Sequence, residues 1–209
     1  MESKISCIVL AGGKGSRLEG RKILETVGGR TLLERVVNAV SPYVRNIIIV
    51  GAAGQTFPFL DGCPKMKAVM DVYPDKGALG GLYTGLAASS SFHNLVVGSD
   101  MPFLNRELLC YQMQLADGFD AVVPRLNNWI EPLHAIYAKT CIAPLKKQLR
   151  QNALKVGDLF SMVRVRYVEA EEIDLFDPAH LSVFNVNTKT DLAEARNLSC
   201  RLDVFPSIQ

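Results

Sequence analysis

The stretch Ile5-Ser-Cys-Ile-Val-Leu10-Ala-Gly-Gly-Lys-Gly-Ser-Arg17-Leu-Glu-Gly-Arg-Lys22 decides how this chain is read: a short apolar run gives way at once to a glycine-rich, cationic loop. The run Ile5-Leu10 is too short for an ordinary helix and stops against glycine, as a buried strand does. Behind it, residues 11–22 hold four glycines and four cations. Glycines let successive backbone N–H groups close around an anion, and Lys and Arg neutralise it. A plain strand-to-helix turn needs one or two glycines but not this density of positive charge. The loop matches neither the Walker A spacing nor the Gly-x-Gly-x-x-Gly dinucleotide fingerprint. It is read as a phosphate-gripping loop at the carboxyl end of the first strand.

Outward from this loop, short apolar runs alternate with segments of helical periodicity, the pattern of a mostly parallel sheet with crossover helices. Further strand candidates are Asn46-Val50, Lys67-Met70, Asn94-Val97 and Asp120-Val123, with later ones near Val163-Val168 and Leu181-Phe184. All are expected to be covered on both faces. Thr31-Leu-Leu-Glu34 reads as a capping box opening a helix through Val40, which Ser41-Pro42 stops, so residues 5–50 form a βαβ unit. A second helix is expected from near Gly80 to Ala88, and a third behind Asn105 carrying Leu108, Leu109 and Met113. Thr140 to Met162 reads as helical, with a break at Gly157 and a solvated basic face. Arg201-Gln209 reads as a loose tail.

Composition narrows the function classes. At 209 residues, 48% hydrophobic and 21% charged, the chain is globular and long enough for one substantial core, expected as a single domain over 1–209. A net charge of +2 from 23 basic and 21 acidic residues is too balanced for a general affinity for nucleic acid or anionic membrane, so anion recognition must be local. The five cysteines lie about thirty or more residues apart, which excludes zinc-knuckle and dithiol motifs. An odd cysteine count, no apolar leader and no run near the roughly 20 apolar residues of a membrane span point to the cytoplasm.

Two further segments carry chemistry. Asn94-Leu-Val-Val-Gly-Ser-Asp100-Met-Pro102 sets a carboxylate just beyond a buried strand, where open α/β sheets bind ligands and where it can hold Mg²⁺; read alone, Asp100 could equally cap a turn. Near the C-terminus, Asn185 and Asn187 offer paired amide donors and acceptors at an expected strand end, or cap the final helix with Thr188 or Thr190. Trp129 reads as partly buried, His134 as a packing residue, and His93 and His180 as ordinary turn residues.

Leu10-Ala-Gly-Gly13, with Arg17 and Lys22 spaced behind it, resembles the signature of the sugar-nucleotide-like NTP transferases, and most closely the molybdenum cofactor guanylyltransferases. Asp100-Met-Pro-Phe103 is similar to that family's metal motif, Asp71-Val-Tyr-Pro-Asp75-Lys-Gly-Ala-Leu-Gly-Gly81 to its Asp…Gly-Pro-Leu-Ala-Gly segment, and Glu131-Pro-Leu-His-Ala-Ile-Tyr137 to its Pro-Leu-x-Ala-Leu strand. Phe184-Asn-Val-Asn-Thr188 through Asp191-Leu192 resembles its Phe-x-Asn-x-Asn-Thr-Pro-x-Asp-Leu segment. Leu18-Glu19, Arg21 and Ala78 depart from the pattern, and Gly51-Ala-Ala-Gly54 lacks a polar residue the family often carries there.

The resemblance implies a Rossmann-like three-layer sandwich of the nucleotide-diphospho-sugar transferase type. It implies a guanylyltransferase that joins GMP from GTP to molybdenum-molybdopterin with Mg²⁺, in contact with other cofactor-biosynthesis proteins and apo-molybdoenzymes. Leu10, Ala11, Gly12, Gly13, Lys22, Asp71 and Asp100 would bind GTP; Arg17, Lys22 and Asp100 would be catalytic, Asp100 holding the metal; Asn185 and Asn187 would bind the pterin. Guanine shows two adjacent donors that a carboxylate can accept, from Asp71 or, as fallback, Asp75. A molybdopterin cytidylyltransferase, a sugar-phosphate nucleotidyltransferase and a non-catalytic nucleotide-binding assembly protein stay open as alternatives.

Overall fold

The computed structural model describes residues 4–12, 24–57 and 63–204. The first apolar run forms β1 (Ser6–Leu10), all five residues of it buried. A hairpin of β2 (Thr26–Val27) and β3 (Arg30–Thr31) turns through Gly28 and Gly29, both at positive φ. Thr31 then opens α1 (Leu32–Val40) through the expected capping box. Its hydroxyl accepts from the Glu34 N–H at 3.2 Å, and Glu34 Oε2 accepts from the Thr31 N–H at 2.8 Å. The bond from the Thr31 backbone, then that from its hydroxyl, hold the Glu34 carboxyl below its ordinary range.

The chain continues through β4 (Ile47–Gly51), β5 (Met66–Met70), α2 (Gly77–Ala88), β6 (His93–Gly98) and α3 (Arg106–Gln114). Asn105 caps α3 as expected, accepting from the Leu108 N–H at 2.9 Å. The remainder is β7 (Ala121–Leu126), β8 (Trp129–Ile130), β9 (His134–Ala138), α4 (Ile142–Gln151), β10 (Val165–Glu169), α5 (Ala170–Ile173) and α6 (Lys189–Val204). No described helix is long and apolar enough to cross a membrane.

The strands form one sheet in the order β10-β7-β9-β6-β1-β4-β5, with β8 paired to β7. From β6 to β5 every pairing is parallel; β9 runs antiparallel between β6 and β7, and β10 is again parallel to β7. Period-2 alternation splits the strand residues between two cores. Cys7, Val9, Ile47, Ile49, Leu95 and Val97 pack with α1 and α3 on one face. Ile8, Leu10, Ile48, Val50 and Val96 pack with Leu79, Leu82 and Leu86 of α2 and with α4 on the other. Helices on both faces of a mostly parallel sheet make the expected three-layer α/β sandwich.

Four expectations are corrected. Leu181-Phe184 is not a strand but a 3₁₀ turn over Leu181–Val183, because the Leu181 and Ser182 N–H groups donate to the Asp177 carboxylate rather than to a ladder. The helix after Thr140 breaks at Asn152, left-handed at φ 55°, and not at Gly157, which lies inside a later 3₁₀ turn. Cover on both faces fails at β5, an edge strand whose Lys67, Ala68 and Met70 are exposed. Residues 201–204 complete α6 rather than fray from it, and the rest of the expected tail lies outside the described residues.

The seat of α2 on the sheet depends on missing side chains. A Cβ at Gly85 would lie 2.3 Å from Ile8 Cγ2, and one at Gly81 would lie 3.2 Å from Leu10 Cδ2. At its far end, Lys139 Nζ donates to the carbonyls of Leu86 (2.6 Å) and Ser89 (2.5 Å), groups a helix end leaves without partners. Gly85→Ala should gain about 1 kcal/mol of helix propensity but lose about 1–3 kcal/mol to overpacking against the rigid, β-branched Ile8. The expected outcome is a lower urea midpoint with an unchanged m-value; equal or higher stability would show that α2 does not depend on this close approach.

Candidate functional site

The chain leaves β1 toward β4 and β5, then returns on the other side of β1 to form β6. Adjacent strands whose connections run off in opposite directions leave a crevice beyond their carboxyl ends, the usual ligand position in an open α/β sheet. Residues 10–12 enter this crevice clamped from both sides: Ala11 N–H donates to Val50 O at 2.8 Å, and Leu10 O accepts from the Ser99 N–H at 3.1 Å. A Cβ on Gly12 would lie 3.3 Å from Ala52 N, so the backbone passes close to the turn after β4. Gln55 ties the two together, its Oε1 accepting from Ala52 N–H (3.0 Å) and its Nε2 donating to Ala11 O (3.3 Å). Sequence reading found no polar side chain in Gly51-Ala-Ala-Gly54; the one that reaches β1 is the next residue.

On the α2 side lies a cavity of about 370 Å³ lined by Leu10, Gly12, Ala52, Asp71, Asp75 and Gly77, among others. Asp71 is held firmly: its N–H donates to Gly51 O at 2.9 Å, and its Oδ1 accepts from the Tyr73 N–H at 2.9 Å and the Thr84 hydroxyl at 2.7 Å. The Thr84 hydroxyl in turn accepts from Val72 N–H at 3.1 Å. Thr84 precedes Gly85, so the glycine that seats α2 also brings the hydroxyl to Asp71. Asp75 lines the same cavity with a left-handed backbone, φ 71°. Both acidic candidates therefore share one pocket.

Asp100 lies on the other side of β1, beyond β6, and is not among the residues lining that cavity. Gly98 makes its placement possible, since a Cβ there would lie 2.5 Å from Asp100 Oδ1. The Asp100 carbonyl accepts from Val186 N–H at 2.9 Å, which joins the Asn185-Val-Asn187 segment to the end of β6. Arg35 of α1 holds the following residues: its Nε donates to Pro102 O at 3.0 Å, its Nη1 to Val27 O at 3.2 Å, and its guanidinium lies 5.4 Å from the Phe103 ring centroid. Sequence reading passed over Arg35 because nothing local marks a helix arginine that caps a distant loop.

Asn185 is half-buried, its Nδ2 donating to Val183 O at 3.0 Å and to Glu131 Oε2 at 3.2 Å. Asn187 is exposed, and its N–H, with that of Thr188, donates to Asp191 Oδ2, so Thr188 and Asp191 form the helix cap. Glu131 is a buried carboxylate, 6% exposed, whose Oε1 accepts from Leu133 N–H at 2.9 Å. Burial raises its carboxyl above the ordinary range, with the Asp100 charge adding to the rise and the bonds from Leu133 and Asn185 opposing it. Gly13, Arg17 and Lys22 of the glycine-rich loop lie outside the described residues. Trp129 is 47% exposed, His93 Nε2 lies 3.3 Å from Phe119 O, and His180 pairs with Asp174. Among the described residues no group of three or more His, Cys, Asp or Glu side chains could hold a metal ion.

Comparison with known proteins agrees with this fold. The family described as MobA-like NTP transferase domain matches residues 7–165. A probable molybdenum cofactor guanylyltransferase of Pelotomaculum thermopropionicum is 34% identical over 189 residues, covering 90% of each chain. One from Methanosarcina mazei is 35% identical over 196 residues, covering 90% of this chain and 88% of its own. The crystal structure of molybdopterin-guanine dinucleotide biosynthesis protein A from Archaeoglobus fulgidus matches with a TM-score of 0.81 at 26% identity, covering 94% of this chain and 100% of that one.

His134 packs as expected, fully buried in β9 with Nε2 2.6 Å from Ser182 Oγ. Burial pushes its pKa down to about 4. An unfolded histidine titrates near 6.5, so below that pH the unfolded chain binds the extra proton and folding loses stability until about pH 4. Wild-type stability should fall in this window by about 1.4 kcal/mol per pH unit more than that of His134→Gln, measured by urea unfolding. Parallel pH profiles for the two would show that His134 is not held neutral.

Proposed function

This chain belongs to the family of MobA-like NTP transferase domains, and we propose that it is a guanylyltransferase that joins GMP from GTP to molybdenum-molybdopterin, releasing pyrophosphate. The support is of two kinds. Relatives named probable molybdenum cofactor guanylyltransferase are 34% and 35% identical across nine-tenths of the chain. The observation that carries the reading is the anchored Asp71 carboxylate in the cavity beside Gly12.

Asp71 Oδ1 already accepts two hydrogen bonds, so its remaining acceptor capacity lies on Oδ2. In the proposed reading this edge accepts the adjacent N–H donors of guanine, with Asp75 as the alternative carboxylate. Leu10 and Ala11 carry the chain into the crevice, the Gly12 and Gly13 amides orient the triphosphate, and Arg17 and Lys22 offset charge developing on it. Asn185 and Asn187 receive the pterin from the other side of β1.

Asp100 fits a hard divalent cation: a carboxylate offers the oxygen donors such an ion takes, and the neighbouring Ser99 N–H bonds Leu10 O at the end of β1, so Asp100 would hold Mg²⁺ at the crevice. Bound, Mg²⁺ neutralises phosphate charge and favours departure of pyrophosphate. The terminal phosphate of the acceptor attacks the α-phosphorus of GTP; the new P–O bond forms as the bond to pyrophosphate breaks. This nucleophile is already anionic, so no general base is needed, and the protein contributes positioning and charge stabilisation. The same reading implies a cytoplasmic site of action and delivery of the product to apo-molybdoenzymes.

Pyrophosphate release in the presence of molybdenum-molybdopterin and Mg²⁺ should be at least about tenfold faster with GTP than with CTP, the discrimination one misplaced hydrogen-bonding edge gives. A preference for CTP would overturn the assignment of guanine. Asp100→Ala and Lys22→Ala should each lower kcat about 100-fold or more with the fold intact by circular dichroism. Near-normal release by either removes that residue from the chemistry. Thr84→Val should raise the KM for GTP about tenfold while sparing that for the acceptor, since it frees Asp71 and strands the Val72 N–H.

A further inference from the structure

The two oxygens of Glu131 are each committed, Oε1 to Leu133 N–H and Oε2 to Asn185 Nδ2. The same Asn185 nitrogen lies 3.0 Å from Val183 O. A backbone carbonyl cannot donate, so the atom facing it has to be the amide nitrogen, and this fixes which way round the Asn185 amide sits. Both Nδ2 hydrogens are then used inside the protein, one by Glu131 and one by Val183. For a ligand, Asn185 has only its carbonyl oxygen. The bond from Val186 N–H to Asp100 O keeps this oxygen's backbone beside the end of β6.

We infer that Glu131 is a positioning residue, which locks the Asn185 amide so that the acceptor substrate meets a hydrogen-bond acceptor and is selected through an N–H donor of its pterin ring. The inference rests on the guanylyltransferase reading for the identity of the substrate, but the orientation of the amide stands on geometry alone. A carboxylate is required at position 131 because two N–H groups need acceptors there. Glutamine has one oxygen, so Glu131→Gln leaves either Leu133 N–H or Asn185 Nδ2 facing an NH₂ group. Glu131 touches no reacting atom in this scheme; it acts through Asn185.

The test uses the full chain as wild type, Glu131→Gln, Asn185→Ala and the double variant, with KM for the molybdopterin acceptor, supplied as molybdenum-molybdopterin, and for GTP measured separately by pyrophosphate release. Glu131→Gln and Asn185→Ala should each raise the KM for molybdopterin about tenfold and leave the KM for GTP within about twofold, the signature of a lost ground-state hydrogen bond to one substrate. The double variant should be no worse than Asn185→Ala, because Glu131 has nothing left to orient. Additive losses in the double variant, or a shift in the KM for GTP as large as that for molybdopterin, would overturn the inference. If Glu131→Gln does not fold, Asn185→Ala decides: an unchanged KM for molybdopterin overturns it. A wild-type protein that releases no pyrophosphate from GTP with molybdenum-molybdopterin defeats the guanylyltransferase reading itself, whereas normal wild-type turnover with unaffected variants defeats only the role of Glu131.

Discussion

Two missing side chains set the geometry on which the rest of this protein depends. At Gly81 and Gly85, α2 has no Cβ toward β1, and its axis settles close against Ile8 and Leu10. Glycine inside a helix costs about 1 kcal/mol each relative to alanine. That cost is offset by the packing of Leu79, Leu82 and Leu86 into a core shared with β1, β4 and β6. The close approach also carries Thr84 to Asp71 and the start of α2 to the rim of the cavity. A helix seated one methyl group further out would still cover the sheet, but its hydroxyl would no longer meet the carboxylate.

The other half of the site is organised by polar groups rather than by close packing. A buried carboxylate such as Glu131 is costly unless its lone pairs are matched, and here a backbone N–H and a side-chain amide match them. Asp100 sits nearby without a Cβ at Gly98 to obstruct it. The C-terminal segment reaches both through Asn185 and Val186, so residues 54 and 86 positions apart in sequence share one patch. Because this patch consists of directional bonds, it can specify the orientation of a ligand's polar edge.

What could be read from the sequence follows from the range of each interaction. The capping box at Thr31, the Asn105 cap and the strand-to-loop break at Leu10 are local, and each stands where its motif is. The exchange of Leu181-Phe184 for a turn was not legible, because the competing acceptor, Asp177, and the partners of buried Ser182, Asn105 and His134, have no periodic signature. The antiparallel direction of β9 was likewise hidden, since a fully buried strand reads the same in either direction. Gln55, Arg35 and Glu131 were passed over for one reason: each acts on a backbone group or amide far away in sequence or across the crevice. Asp71, Asp100 and Asn185 are candidates named by resemblance to the family's segments, and the structure sets Asp71 apart from the other two across β1.

That separation bears on how one fold serves different acceptors. The family match ends at residue 165, so it includes the whole Asp71 cavity, Asp100 and Glu131, but stops short of Asn185 and Asn187. On the proposed reading, the shared region supplies the nucleotide pocket and the orienting carboxylate, while the ligand-facing amides come from the stretch beyond it. In that stretch Val186 is fully buried with Val27, Leu32 and Phe103 and bonds Asp100 O, and Asn185 is held by Glu131, whereas the Asn187 side chain is exposed. Exposed side chains such as Asn187 can change without disturbing this packing or the sheet. Specificity for the acceptor can therefore diverge at the C-terminus while the crevice at the end of β1 keeps its geometry.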